Sequence, residues 1–154
     1  MSKTALVEKA RVFAKQKHEG QFRKKFLKGA ETPSDAPYFS HPSTVHEILL
    51  LVTKDEDLLS AAYLHDTLED TGTTYSELRK EFGKRVADLV VEVSKDSRGE
   101  YPIKTREGLM LKLADTLHNV STHGNAEYLS KKNEWLKSQI SAGRTNVHGW
   151  KYGC

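Results

Sequence analysis

Along most of the chain, apolar side chains recur at spacings of three and four, the pattern of helices that bury one face. Leu6, Ala10, Phe13 and Ala14 stripe a first helix that stops before Gly20. Pro42 suits the first turn of a second helix, which carries Val45, Ile48, Leu49 and Val52. A third is predicted over residues 55–69, striped by Leu58, Ala61, Ala62, Leu64 and Leu68. Thr74 with Glu77 has capping-box spacing and opens a short helix that Gly83 ends. Val86, Leu89, Val90 and Val93 mark the next, and residues 109–122 and 128–140 carry the last two. The segments KFLKGAETPSDAP and KDSRGEYP hold turn residues without a period and read as loops. No segment alternates convincingly as a strand. The expectation is an all-α fold, a single domain over residues 1–154 with about seven helices around one core.

Composition narrows the class. The lone cysteine, Cys154, is the last residue, so an internal disulfide is excluded and a reducing, cytoplasmic setting is expected. Its thiol can still link two chains, and a homodimer stays open. No run of 18 apolar residues predicts a membrane span, and the charged N-terminus lacks a signal-peptide core. The net charge of +3 is unevenly spread. Residues 1–30 hold nine Lys/Arg against two Glu, whereas residues 55–70 hold six acids and no Lys or Arg. The basic block reads either as a solvated helix face or as a phosphate-binding wall opposite an acidic pocket. Nucleic acid is not the expected partner, because the basic residues are not interleaved with aromatics and no reading motif appears.

The acidic stretch contains LHDTLEDT, which crowds His65, Asp66, Glu69 and Asp70 into six residues. Charges so close repel unless a cation sits among them. On a continuous helix, residues four apart nearly align, so His65 and Glu69 share one line and Asp66 and Asp70 the next. In LMLKLADTLHNVST, Asp115, Asn119 and Thr122 form one polar line, with Met110, Leu113, Ala114 and Leu117 on the buried side. YFSHP adds His41 ahead of the second helix. A histidine beside an apolar stripe or a polar helix line has a purely structural reading when taken alone. Together, His41, His65, Asp66 and Asp115 make a mixed nitrogen and oxygen set suited to Mn²⁺, Fe²⁺ or Zn²⁺. Such an ion polarises a phosphoryl oxygen and lowers the pKa of a bound water. Glu69 and Asp70, left over one turn on, are then the candidates for orienting that water and taking its proton.

The segments FAKQKHEGQFRKK, PYFSHPSTV, AAYLHDTLEDTGTT, ELRKEFGKRVADLVVEVSKD and LKLADTLHNVST cover roughly residues 5–125. In that order they resemble the metal-dependent HD-domain phosphohydrolases, specifically the hydrolase module of the RelA/SpoT family in its small stand-alone form. The resemblance implies that His41, His65, Asp66 and Asp115 hold the metal, usually Mn²⁺, and that Glu69 and Asp70 are the catalytic acids. It implies that Arg23 and Lys24 lie along the base and phosphates, and that Asn119 and Thr122 contact the nucleotide. The implied reaction removes the 3′-pyrophosphate from ppGpp or pppGpp, giving GDP or GTP, without the family's synthetase activity. Two alternatives stay open: a nucleotide phosphatase acting on another substrate, such as NADPH or an adenine alarmone, and an idle domain that only binds a nucleotide. The chain departs from the pattern in the eleven residues 26–36 between RKK and PYF, and in TNVHGWKYGC, which matches no family segment. His18, His46, His118, His123 and His148 have no place in the ligand set and are expected to be structural or surface residues.

Overall fold

A computed structural model describes residues 3–27, 30–123 and 126–141. The helices expected from the apolar periodicity form a bundle: α1 (Lys3–Lys17), α2 (Ser40–Leu50), α3 (Glu56–Leu64), α4 (Thr67–Asp70), α5 (Tyr75–Phe82), α6 (Lys84–Glu92), α7 (Arg106–His123) and α8 (Ala126–Ser141). The axis of the bundle is α3. Every residue from Leu58 to Leu64 is buried, and α1, α2, α6 and α7 all pack on it. Its small side chains Ser60, Ala61 and Ala62 let neighbouring helices approach from several sides. Asp55 caps its start, accepting from the backbone N–H groups of Asp57 and Leu58, and Arg85 holds the same carboxylate at 2.6 and 2.8 Å. Leu49, Leu58, Leu64, Leu78, Val86 and Leu111 fill the core.

Three expectations need correction. The helix predicted over residues 55–69 breaks after Leu64, and a single turn, α4, resumes at Thr67. At the break the Thr67 hydroxyl donates to the Leu64 carbonyl at 2.7 Å. The second helix ends at Leu50, which leaves Val52 outside it and 68% exposed. The loop reading of KFLKGAETPSDAP also fails, because β1 (Phe22–Leu27) and β2 (Ala30–Pro37) form an antiparallel hairpin. Lys24 pairs with Pro33 and Phe22 with Pro37, with a register shift between them. The ribbon carries two prolines and no alternating pattern, so it looks like a loop in sequence. KDSRGEYP is irregular, as expected, with a turn at Gly99. TNVHGWKYGC, with His148, lies outside the described residues.

Candidate metal centre and active site

Three elements bring the predicted ligands together. His41 stands in the first turn of α2, His65 and Asp66 occupy the break between α3 and α4, and Asp115 lies midway along α7. The break turns His65 inward while letting Asp66 reach the same point. His41 Nε2 lies 2.8 Å from Asp115 Oδ1, 3.5 Å from Asp66 Oδ2 and 3.2 Å from His65 Nε2. His65 Nε2 lies 3.1 Å from Asp66 Oδ2 and 3.4 Å from Asp115 Oδ1. His41, His65 and Asp115 are buried and by themselves form a cluster able to hold a metal ion.

The donor set fits a divalent cation. His65 Nδ1 sits 2.7 Å from the Ala62 carbonyl, which can only accept, so Nδ1 carries a proton and Nε2 is the nitrogen left to offer a lone pair inward. His41 Nδ1 meets His118 Nδ1 at 2.7 Å, with the two rings stacked 5.0 Å apart. Donation from His41 there leaves its Nε2 free as well. The charges agree. Burial opposes any charge on His65, yet Asp66 and Asp115 outweigh it and raise its pKa well above the ordinary value. Burial holds the His41 pKa below the ordinary value. Asp66 is pulled down to about 2 by His65 against the opposing effect of burial. Asp115 is held well below the carboxylate range by His41 and His65, again against burial.

Lys112, which sequence reasoning missed, holds the far side of Asp115. Its ammonium donates to Asp115 Oδ2 at 2.8 Å and lies 3.7 Å from the centre of the Tyr101 ring. Both Lys112 and Asp115 are buried, at 4% and 5% exposure. The spacing of three on one helix was the available signal. The buried side of α7 differs accordingly: Leu109, Leu111 and Ala114 are buried, whereas Leu117 is 58% exposed. Tyr38 is a second omission. Its hydroxyl bonds both Asp66 Oδ2 and Asp70 Oδ2, at 2.7 and 3.1 Å. His118, expected to be structural or at the surface, takes a structural place behind His41.

The remaining predicted residues take three positions. Asp70 lies next to Asp66 across Tyr38, and burial, then the Asp66 charge, raises its pKa. Glu69 does not share a line with His65: it is exposed, and its carboxylate accepts the Lys95 backbone N–H. Arg23, on β1, reaches α7 and donates to Asn119 Oδ1 at 3.2 Å and Thr122 Oγ1 at 3.1 Å, while Asn119 donates to Asp115 Oδ1 at 2.9 Å. Arg23 also faces Tyr38, 5.9 Å from its ring centre. Lys24, one residue along the strand, is exposed. The hairpin thus hangs over the mouth of the metal centre.

A family model for the HD domain matches residues 10–107. A guanosine-3′,5′-bis(diphosphate) 3′-pyrophosphohydrolase of Aquifex aeolicus is 38% identical over 130 residues, covering 75% of this chain and 17% of that protein. The bifunctional (p)ppGpp synthase/hydrolase SpoT of Escherichia coli K12 is 34% identical, covering 77% of this chain and 18% of that protein. The chain therefore spans less than a fifth of these long relatives. A Xenopus tropicalis protein named guanosine-3′,5′-bis(diphosphate) 3′-pyrophosphohydrolase MESH1 is nearer in size, 36% identical with 77% of this chain and 70% of that protein covered. A solved structure described as a metazoan ortholog of SpoT that hydrolyses ppGpp superposes with a TM-score of 0.70 at 28% identity, covering 96% of this chain and 88% of that one. The match over residues 10–107, the Xenopus relative and the convergence of His41, His65, Asp66 and Asp115 lead to one conclusion: the chain belongs to the HD-domain family.

Proposed function

We propose that this chain is a metal-dependent guanosine-3′,5′-bis(diphosphate) 3′-pyrophosphohydrolase. The observation that carries the reading is the meeting of two imidazole Nε2 atoms and two carboxylate oxygens beneath a basic hairpin. His41, His65, Asp66 and Asp115 are the groups that would hold the ion; their mixed donor set suits Mn²⁺, Fe²⁺ or Zn²⁺ over Ca²⁺ or Mg²⁺, and Mn²⁺ is the ion that the family resemblance implies. When bound, a divalent ion there supplies Lewis-acid polarisation of a phosphoryl oxygen and a water acidic enough to attack at neutral pH.

The chain's own residues do the rest. Asp70, with its raised pKa, accepts the proton of the attacking water as the new P–O bond forms and the bond to the 3′-oxygen breaks. The 3′-oxygen leaves as the nucleoside hydroxyl after gaining a proton, and pyrophosphate departs. Glu69 anchors the Lys95 backbone at the rim, which places it to steady the loop over the leaving pyrophosphate. Arg23, already aligned by Asn119 and Thr122, presents a planar guanidinium to the guanine base or a phosphate, and Lys24 adds a cation at the edge. Lys112 holds the far oxygen of Asp115, which keeps the carboxylate turned toward the imidazoles. A cytoplasmic location and a small nucleotide as the partner belong to the same reading.

Incubation with ppGpp, pppGpp, NADPH and an adenine alarmone, each with Mn²⁺ or with chelator, tests it. GDP or GTP with pyrophosphate, formed only with metal and fastest from the guanine alarmones, is the expected result. Preferential turnover of NADPH or the adenine compound would move the assignment to a different nucleotide phosphatase. Absence of turnover on every substrate would leave a binding domain.

A further inference from the structure

We propose that Tyr38 is a positioning residue that couples the metal ligand Asp66 to the proton acceptor Asp70, an inference resting on the hydrolase reading above. Its hydroxyl lies 2.7 Å from Asp66 Oδ2 and 3.1 Å from Asp70 Oδ2. A phenol carries one proton, so it donates fully to one of these oxygens at a time. The shorter contact is with Asp66. That same Oδ2 faces the imidazoles, 3.1 Å from His65 Nε2 and 3.5 Å from His41 Nε2. Once Oδ2 gives a lone pair to a cation it becomes a weaker acceptor, and the hydroxyl shifts its donation toward Asp70. Filling of the ligand set thereby orients the Asp70 carboxylate that takes the water's proton; the same donation lowers its basicity, so the gain is in position and not in proton affinity.

The surroundings of the ring suit this role. The Tyr38 ring lies against His18, with centroids 4.9 Å apart and planes tilted by 36°. His18 is 2% exposed, and its Nδ1 bonds Gln21 Oε1 at 2.8 Å. Gln21 Nε2 in turn donates to the Asp70 backbone carbonyl at 2.8 Å, and the Tyr38 N–H donates to the Gln21 carbonyl at 2.8 Å. One brace thus fixes both the base of the tyrosine and the main chain of Asp70. The adjustable contact left between them is the hydroxyl. It also gives the buried His18 and the GQ turn a purpose beyond carrying Arg23.

Tyr38→Phe removes the hydroxyl and keeps the ring, the brace and the packing. Isothermal titration with Mn²⁺ should show affinity equal to or tighter than wild type, because a competitor for Asp66 Oδ2 is gone. On ppGpp, kcat should fall about 10- to 100-fold, the usual effect of losing an outer-shell partner, with KM little changed. The Tyr38→Phe/Asp70→Asn double variant should turn over no more slowly than Asp70→Asn alone, because the hydroxyl acts through Asp70. Gln21→Leu, which touches neither carboxylate, should reproduce the loss of kcat at smaller amplitude and serves if the tyrosine variant fails to fold. Weaker Mn²⁺ binding by Tyr38→Phe, or a double variant slower by the full Tyr38→Phe factor, overturns the coupling, as does an unchanged kcat in both single variants. Failure of the wild type to hydrolyse ppGpp overturns the hydrolase reading instead, and the Mn²⁺ titration then decides the case for Tyr38.

Discussion

Replacing Lys112 by methionine tests the electrostatics of the centre without touching a ligand. The ammonium is 4% exposed and sits 2.8 Å from Asp115 Oδ2, and Asp115 outweighs burial to raise its pKa. Methionine keeps most of the aliphatic stem, so packing changes little, while the ammonium's contact with the Tyr101 ring goes with the charge. What is lost is the counter-charge of a buried carboxylate. Removing one partner of a buried pair costs ~3–5 kcal/mol, because the other charge stays behind. The low end applies here, since Asp115 Oδ1 keeps His41 and Asn119. About 3 kcal/mol in a chain of this size lowers Tm by roughly 6–12 °C. That figure holds without metal. With Mn²⁺ bound, the carboxylate faces a dication instead, and the penalty shrinks by as much as metal affinity improves. Melts followed by circular dichroism in chelator and in saturating Mn²⁺ should therefore show a large deficit in the first and less than half of it in the second. A deficit as large with Mn²⁺ as without would refute the reasoning, because it would mean that Lys112 serves the fold and not the charge on Asp115.

Three further outcomes follow from other contacts. Asp70→Asn should lower kcat by about 10²-fold or more while metal content holds, as expected for loss of a general base, and Glu69→Gln, whose carboxylate is engaged by the Lys95 N–H, should lose less; single-turnover rates beside metal analysis compare them. Asp55→Ala removes the cap of α3 and should cost about 1–2 kcal/mol near neutrality. Because the Arg85 hydrogen bond chiefly depresses the folded pKa of Asp55, that stability is present above its unfolded value of about 4 and disappears as pH falls through the lower folded value. Urea midpoints at neutral and acidic pH should therefore converge for the two proteins. Gly108→Ala should destabilise by about 1–3 kcal/mol despite the better helix former, since a Cβ there would clash with Glu92 Oε1 and displace the carboxylate that accepts the Lys104 and Thr105 N–H groups. A midpoint at or above that of the wild type would contradict it.

What sequence reasoning could reach at this site depended on whether a residue's role follows from its type or from its neighbours. Histidines and acids beside apolar stripes are costly to bury alone, so His41, His65, Asp66 and Asp115 were visible as a set. Most helices were equally visible, because α1, α2, α3, α5, α6 and α7 each spend an apolar face on a common core. The break at His65 was not. Every residue of HDTLED tolerates a helix, and the Thr67 hydroxyl's bond to the Leu64 carbonyl, found at the break, leaves no periodic trace. The continuous-helix assumption then misplaced Glu69, which the break turns outward to Lys95. Lys112 and Tyr38 escaped for a related reason. A lysine or tyrosine is ordinarily read as a surface residue with an apolar stem, and only the fold shows that both polar tips turn inward to ligand carboxylates. The proposed ligands of this centre were therefore legible as chemistry, whereas the groups packed around them became legible only once α2, the α3–α4 break, α7 and the hairpin were seen to meet at one point.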